Sequence, residues 1–253
     1  MDLQLKDVAD LLNVSHATIE GLVRADLIPH YFINGQYRFN RNEIEDWLLT
    51  QSGGSKVKTD FSILLQSAQA LKDAQVLQGT HTEGLEASLA SNTRSKGHKQ
   101  FSLFRAVHKG GVLYNVQGDT KKELIKNTVK TLSSNLNFDP EVISHLLLER
   151  EEMQSTGLNH GIAIPHTREF LLNNHHDIVT VVCLDNPIPY DSLDRQPVHT
   201  LFFLFANSDR HHLQLLAKIA HLSSSLQTID FLKSRPTKDQ LLRYIKEWES
   251  TKF

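Results

Sequence analysis

Leu148–His166 reads LEREEMQSTGLNHGIAIPH, and the C-terminal half of the chain is organised around it. A helix that ends near Glu152 gives way to a polar turn, Ser155-Thr156-Gly157, and then to an apolar strand, Gly161-Ile-Ala-Ile-Pro165. Proline holds the residue before it in extended geometry and brings no N–H to a ladder. Pro165 therefore belongs at a sheet edge or strand end, and His166 is expected at the rim of the sheet, on a fixed backbone over an apolar floor. An imidazole is a nucleophile when one ring nitrogen donates to an acceptor such as a carbonyl and the other turns its lone pair outward. Phosphoryl transfer to such a ring asks mainly for positioning and for donors that share the charge. Arg150, Ser155, Thr156 and a second histidine are the candidate donors.

Outward from this stretch, helix and strand patterns alternate from Phe101 onward. Strands are expected at Val112–Val116, Asp177–Leu184 and Val198–Ala206, and helices at Thr120–Ser134, Pro140–Glu152, Asp209–Leu222 and Thr237–Glu249. Asp119 and Asp139 are the expected N-caps, with Pro140 at a first helical position. The alternation argues for an α/β domain over 101–253.

The same residues carry a resemblance. Glu149-Arg150-Glu151, Ser155-Thr156-Gly157, Gly161–His166, the run Asp191–Val198 and His212-Leu-Gln-Leu-Leu216 occur in that order. Together they resemble the enzyme IIA domain of the fructose/mannitol and nitrogen-regulatory class of the bacterial phosphoenolpyruvate-dependent phosphotransferase system. The resemblance implies a mixed sheet flanked by helices. It implies that His166 accepts phosphate from the phosphocarrier HPr, that His212 and Arg150 flank it and stabilise the phosphohistidine, and that Ser155 and Thr156 shape the pocket. Two positions depart from the family pattern: Thr167 stands where glycine usually follows the histidine, and Leu158-Asn159-His160 replaces Ile-Gly-Asn.

Residues 1–51 read differently. Leu5–Leu12 and His16–Ala25 are two short helices about a tight turn, with Ser15 placed to cap the second. A hairpin over Tyr31–Phe39 turning at Asn34-Gly35 follows, then a helix Asn42–Leu49. DVADLLNVSHATIEGLVRADLIP followed by NGQYRFNRNEIEDWL resembles the excisionase/MerR-type winged helix-turn-helix. By that resemblance the helix from His16 reads bases and the hairpin touches phosphates, with His16, Thr18, Arg24, Gln36, Arg38 and Arg41 as contacts. Charge speaks on the other side: residues 1–50 hold four bases and eight acids, a net −4, whereas affinity for DNA comes mostly from neutralised phosphates. A head that keeps the fold but binds protein remains an alternative.

Residues 52–100 read as a connector, with an amphipathic helix over 59–77 and a basic tether, SNTRSKGHKQ, over 91–100. Residues 51–110 carry eight bases and four acids. The helix is the candidate for homodimerisation, or it lies on a neighbouring domain.

Across 253 residues the net charge is −2, with one cysteine and fourteen histidines. One cysteine excludes an internal disulfide and suits a reducing compartment. Cys183 is expected as a buried apolar group. No run approaches the roughly 18–20 apolar residues of a membrane span, and the N-terminus lacks a signal pattern, so a cytoplasmic protein without membrane insertion is expected. No C-x-x-C or H-x-E-x-H pattern is present, so neither metal nor cofactor is expected. His211 is expected to face solvent, and His199 to lie in a loop or at a strand edge. The first expectation is a phosphotransferase-system regulator, a phosphohistidine carrier rather than a turnover enzyme, with a DNA-binding head and a downstream regulatory partner. The alternatives are a phosphoryl carrier to a separate permease IIB subunit with a vestigial head, and an unphosphorylated protein-binding module.

Overall fold

The computed structural model describes residues 2–51 apart from 13 and 34, 101–167 apart from 137, and 176–252. The expected 59–77 helix, the 91–100 basic run and Asn34 of the hairpin turn lie outside the described residues.

The N-terminal domain runs β1 (Asp2–Gln4), α1 (Leu5–Leu12), α2 (His16–Arg24), β2 (Tyr31–Ile33), β3 (Gln36–Asn40) and α3 (Arg41–Gln51). Ser15 caps α2 as its position suggests, its hydroxyl accepting the Thr18 N–H at 3.1 Å. The chain leaves α2 through Asp26 at a positive φ of 54°, a conformation that Asp tolerates better than most residues. β3 is central in an antiparallel sheet of order β1-β3-β2. β1 was not expected: three residues are too few to show an alternation, and it exists through its pairing with Arg38–Asn40. Val8, Leu12, Ile19, Phe39, Ile44 and Leu48 fill the core. Trp47 closes it by donating its indole N–H to the Leu27 carbonyl at 2.8 Å.

The C-terminal domain runs α4 (Ser102–Gly110), β4 (Val112–Tyr114), α5 (Lys121–Leu136), α6 (Pro140–Met153), β5 (Ile162–Ala163), β6 (Ile178–Ile188), β7 (Val198–Phe205), α7 (Asp209–Leu222), α8 (Leu226–Lys233) and α9 (Lys238–Lys252). Its sheet has the order β4-β6-β7-β5. β6 and β7 are antiparallel, and each outer strand is parallel to its neighbour. The two central strands are buried on both faces, which is why they read as continuous apolar runs. Successive side chains point to opposite faces. Val179, Val181, Cys183, Phe202 and Leu204 pack with Leu103, Leu215 and Ile245 in one core, while Val182, Leu201 and Phe203 pack with Leu124, Val129 and Leu147 in the other.

The mixed sheet between helices is the expected one, with local corrections. α4 and α8 appear where no helix was expected. Phe101 provides no side-chain cap for α4; Glu249, far along the chain on α9, accepts the Leu103 and Phe104 N–H groups instead. α5 begins one residue later than expected. Thr120, not Asp119, caps it by accepting the Glu123 N–H, while the Glu123 carboxylate takes the Asp119 N–H. Asp139 does cap α6, accepting from Glu141 and Val142. β6 continues past Leu184 to Ile188 through an irregular register.

The two domains are packed together. α1 and α3 lie on α7, and the core of the N-terminal domain is continuous with the α4/α7/α9 side of the C-terminal one. Ion pairs edge the contact: Arg41–Asp209 at 3.0 Å and Arg210–Asp10 at 3.5 Å. Among the described residues no helix is long and apolar enough to cross a membrane.

Candidate functional site

β5 is an edge strand, and the chain beyond it stays tied to β7. Leu204 N–H donates to the Pro165 carbonyl at 2.9 Å, and His166 forms a parallel bridge with Leu204. On the other side of β5, the turn after α6 pairs back: Ile164 N–H donates to Thr156 O at 3.0 Å, and Leu158 N–H to Ile162 O at 2.7 Å. His166 is thus held from both sides at the sheet rim, as the proline predicts.

The buried Glu151 carboxylate shapes that turn. It accepts the Thr156 N–H at 2.9 Å and the Thr156 hydroxyl at 2.5 Å. Ser155 donates its hydroxyl to the Tyr190 carbonyl at 2.9 Å. Both hydroxyls therefore serve the turn rather than point at an incoming group.

The His166 ring is fully buried. Its Nδ1 lies 2.7 Å from the Ile164 carbonyl, so Nδ1 carries a hydrogen and donates. Nε2 is the atom left to do chemistry. His212, in the first turn of α7 behind the Ser208 cap, stands edge-on to it with ring centroids 5.2 Å apart. Arg150 is also buried, at 3% side-chain exposure. One of its terminal nitrogens is fixed by donating to the Gln154 carbonyl at 3.0 Å.

Nε2 faces a group that the motifs did not reveal. Glu45, on α3, enters the C-terminal domain and sets its Oε1 2.9 Å from His166 Nε2 and 3.2 Å from Arg150 Nε. Its Oε2 lies 3.3 Å from His212 Nε2. The neighbouring Asp46 takes the remaining Arg150 nitrogen at 3.2 Å. Burial pushes the Glu45 carboxyl up, but hydrogen bonds and charge from His166 and His212 outweigh it and hold the group well below the usual carboxylate range. Both ring nitrogens of His166 are thereby held in hydrogen bonds, Nδ1 by the Ile164 carbonyl and Nε2 by the Glu45 carboxylate. Burial takes His212 the other way, lowering it to about 4 and leaving the ring neutral.

The pocket is therefore built for an anion, which the Glu45 carboxylate supplies from inside the chain. Glu45, His166 and His212 also bring three ligand atoms within 4.8 Å of one another, a donor set that spacing within either domain could not have shown. The Arg150 guanidinium on the same Glu45 oxygen disfavours a cation there. Glu45 was missed because it lies 121 residues from His166 in sequence. In the sequence it reads as an ordinary acidic position between Ile44 and Trp47.

The expected DNA contacts separate into two groups. His16, Glu20 and Arg24 follow one another at helical spacing on α2, with His16 and Arg24 exposed and Arg24 3.7 Å from Glu20. Gln36 and Arg38 share the outward face of β3 and hydrogen-bond each other at 2.9 Å. Thr18 is buried and its hydroxyl pairs with Ser15. Arg41 is buried in the domain contact against Asp209. Two other histidines differ from expectation. His199 is buried within β7, donating to the His160 carbonyl at 3.0 Å, and His211 is only half exposed, 3.0 Å from Asp177. Cys183 is buried, as expected.

Comparison with known proteins follows this division of the chain. The family model described as phosphoenolpyruvate-dependent sugar phosphotransferase system, EIIA 2, matches residues 106–248, and one described as helix-turn-helix domain matches residues 3–52. A nitrogen regulatory protein of Pseudomonas aeruginosa is 36% identical over 139 residues, covering 54% of this chain and 89% of that protein. The mannitol-specific phosphotransferase enzyme IIA component of Bacillus subtilis is 29% identical over 140 residues, covering 55% and 95%. Among solved structures, the nitrogen regulatory protein IIA-Ntr of Neisseria meningitidis matches with a TM-score of 0.48 at 26% identity, covering 53% of this chain and 91% of that one.

Proposed function

Because the chain belongs to the phosphoenolpyruvate-dependent sugar phosphotransferase system EIIA 2 family, with a helix-turn-helix domain joined to it, we propose that it is a cytosolic regulator phosphorylated on His166 Nε2 by phospho-HPr. The observation that carries this reading is the hydrogen bond from Nδ1 to the Ile164 carbonyl, which commits the opposite nitrogen to the buried space shared with Arg150 and His212. In the reaction, the Nε2 lone pair of neutral His166 bonds to phosphorus. The N–P bond of the donor breaks, and its ring takes back the electron pair. Arg150 and the His212 N–H receive the phosphoryl oxygens, where preorganised donors in a desolvated site are most effective. The 2.9 Å strap from Leu204 to the Pro165 carbonyl keeps the acceptor in place throughout.

The N-terminal domain supports DNA recognition in this reading, with His16 and Arg24 on α2 and Gln36 and Arg38 on β3 as the contacts. Incubating the full chain with enzyme I, HPr and labelled phosphoenolpyruvate tests the first half. An acid-labile, alkali-stable label that disappears in His166→Ala is expected; no label on the wild type would refute it. Salt-dependent retention on DNA that falls in Arg38→Ala tests the second half. A head that binds no DNA at low salt would leave a phosphoryl carrier for a IIB subunit.

A further inference from the structure

We infer that Glu45 is a tethered occupant of the phosphoryl site, so that docking of the N-terminal domain and phosphorylation of His166 exclude one another. The inference rests on the reading of His166 as the phosphoryl acceptor and adds what controls it.

The geometry excludes both states at once for two reasons. The first is space: Glu45 Oε1 sits 2.9 Å from His166 Nε2 and 3.2 Å from Arg150 Nε, in the volume a phosphoryl group on Nε2 needs. The other carboxylate oxygen, 3.3 Å from His212 Nε2, fills the place of a second phosphoryl oxygen. The second is chemistry. With Nδ1 bonded to Ile164 O and Nε2 to the Glu45 carboxylate, neither ring nitrogen has a lone pair open to an incoming phosphorus. Docking therefore both covers the nucleophile and ties up its reactive nitrogen in a hydrogen bond.

Phosphorylation requires the sequence to run backwards. α3 leaves and Glu45 goes with it, the proton of the Glu45–His166 hydrogen bond passes to the carboxylate or to solvent, and the Nε2 lone pair is freed. The phosphoryl group then takes the Arg150 and His212 donors. Once in place, its dianionic charge repels Glu45 and Asp46, and the domain cannot redock. Docking is held beyond the site by Arg41–Asp209 and Arg210–Asp10 and by the packing of α1 and α3 on α7. Since HPr would have to reach a histidine that is fully buried in the docked form, acceptance is limited to the fraction of molecules that are open. The phosphorylation state of His166 then sets whether the N-terminal domain is held against α7 or released from it.

The test uses the full chain in three forms: wild type, Glu45→Ala, and Asp209→Asn, the last loosening the contact without touching the pocket. Initial phosphorylation rates are measured with phospho-HPr and, separately, with phosphoramidate. Both variants are expected to accept phosphate on the order of tenfold faster than wild type, since acceptance is limited by the open fraction. Small-angle scattering of the wild type is expected to show a larger radius of gyration after phosphorylation. Equal rates in all three proteins, with label on His166, would overturn the coupling and leave the acceptor role standing. Faster variants with an unchanged radius in the phosphorylated wild type would also overturn it. Label in none of the proteins from either donor would bring down the acceptor role itself, and the coupling with it.

Discussion

Arg150 and Glu45 meet inside the protein at 3.2 Å, with 3% and 0% of their side chains exposed, although one belongs to the C-terminal and the other to the N-terminal domain. The guanidinium that shares Glu45 Oε1 with His166 is thus also the anchor of the other domain. A buried pair adds little over an apolar one, but removing one member leaves the other charged and undersolvated. Arg150→Ala is expected to destabilise the docked arrangement by about 3 kcal/mol. Tryptophan fluorescence during urea titration, through Trp47 on α3, follows this as a lower midpoint or a separate early transition. A midpoint equal to wild type would show that Arg150 does not hold the domains together.

Lys218 and Glu249 form a second buried pair, at 2.6 Å, and the same carboxylate caps α4 through Leu103 and Phe104. Burial lowers the ammonium and raises the carboxyl, while each partner's charge opposes the change. Glu249→Ala removes the cap and the counter-charge together, so a loss of about 4 kcal/mol is expected. The double variant Glu249→Ala/Lys218→Met should recover part of it. Chemical unfolding of the three proteins measures both effects, and a double variant no better than the single one would assign the loss to the cap alone.

Acid should weaken the protein through His212. Burial lowers its folded value to about 4, below the roughly 6.5 of an unfolded chain. The unfolded state thus takes up the proton first as pH falls. Stability contributed by the neutral ring is complete above about pH 6.5 and is lost as pH falls toward 4, by about 3 kcal/mol in all. The urea midpoint should drop between pH 7 and pH 4.5, and drop less in His212→Gln. A flat wild-type profile over that range would rule out the buried neutral ring.

The same substitution should have opposite signs at two glycines. At Gly110, at the end of α4, an added Cβ would lie 2.3 Å from the Val179 carbonyl oxygen, and backbone cannot yield as a side chain does. Gly110→Ala should force α4 off β6 and cost at least about 2 kcal/mol. At Gly21, inside α2, nothing lies within 4 Å. Gly21→Ala should gain up to about 1 kcal/mol of helix propensity. Thermal denaturation of the two variants gives the comparison.

How far the sequence could be read follows the range of the forces involved. β6 and β7 were legible as apolar runs, α6 through Asp139 and Pro140, and α2 through Ser15, because each signal lies within a few residues of what it specifies. α4 was not legible, because its N-terminal N–H groups are satisfied by Glu249, 146 positions from Leu103. α8 is eight residues long, and Ser225 before it makes no side-chain cap. Thr18 and Arg41, candidates by type and position on the helix-turn-helix pattern, turn inward for packing reasons that no motif records.

Local periodicity and motif order are enough for the two domain types, the placing of His166 at a sheet rim after Pro165, and the presence of Arg150 and His212 near it. What faces His166 Nε2 comes from long-range packing alone. That position is set by the packing of α1 and α3 on α7, a sum of many weak apolar contacts between segments distant in the chain. This packing carries Glu45 across 121 residues of sequence into a buried hydrogen bond.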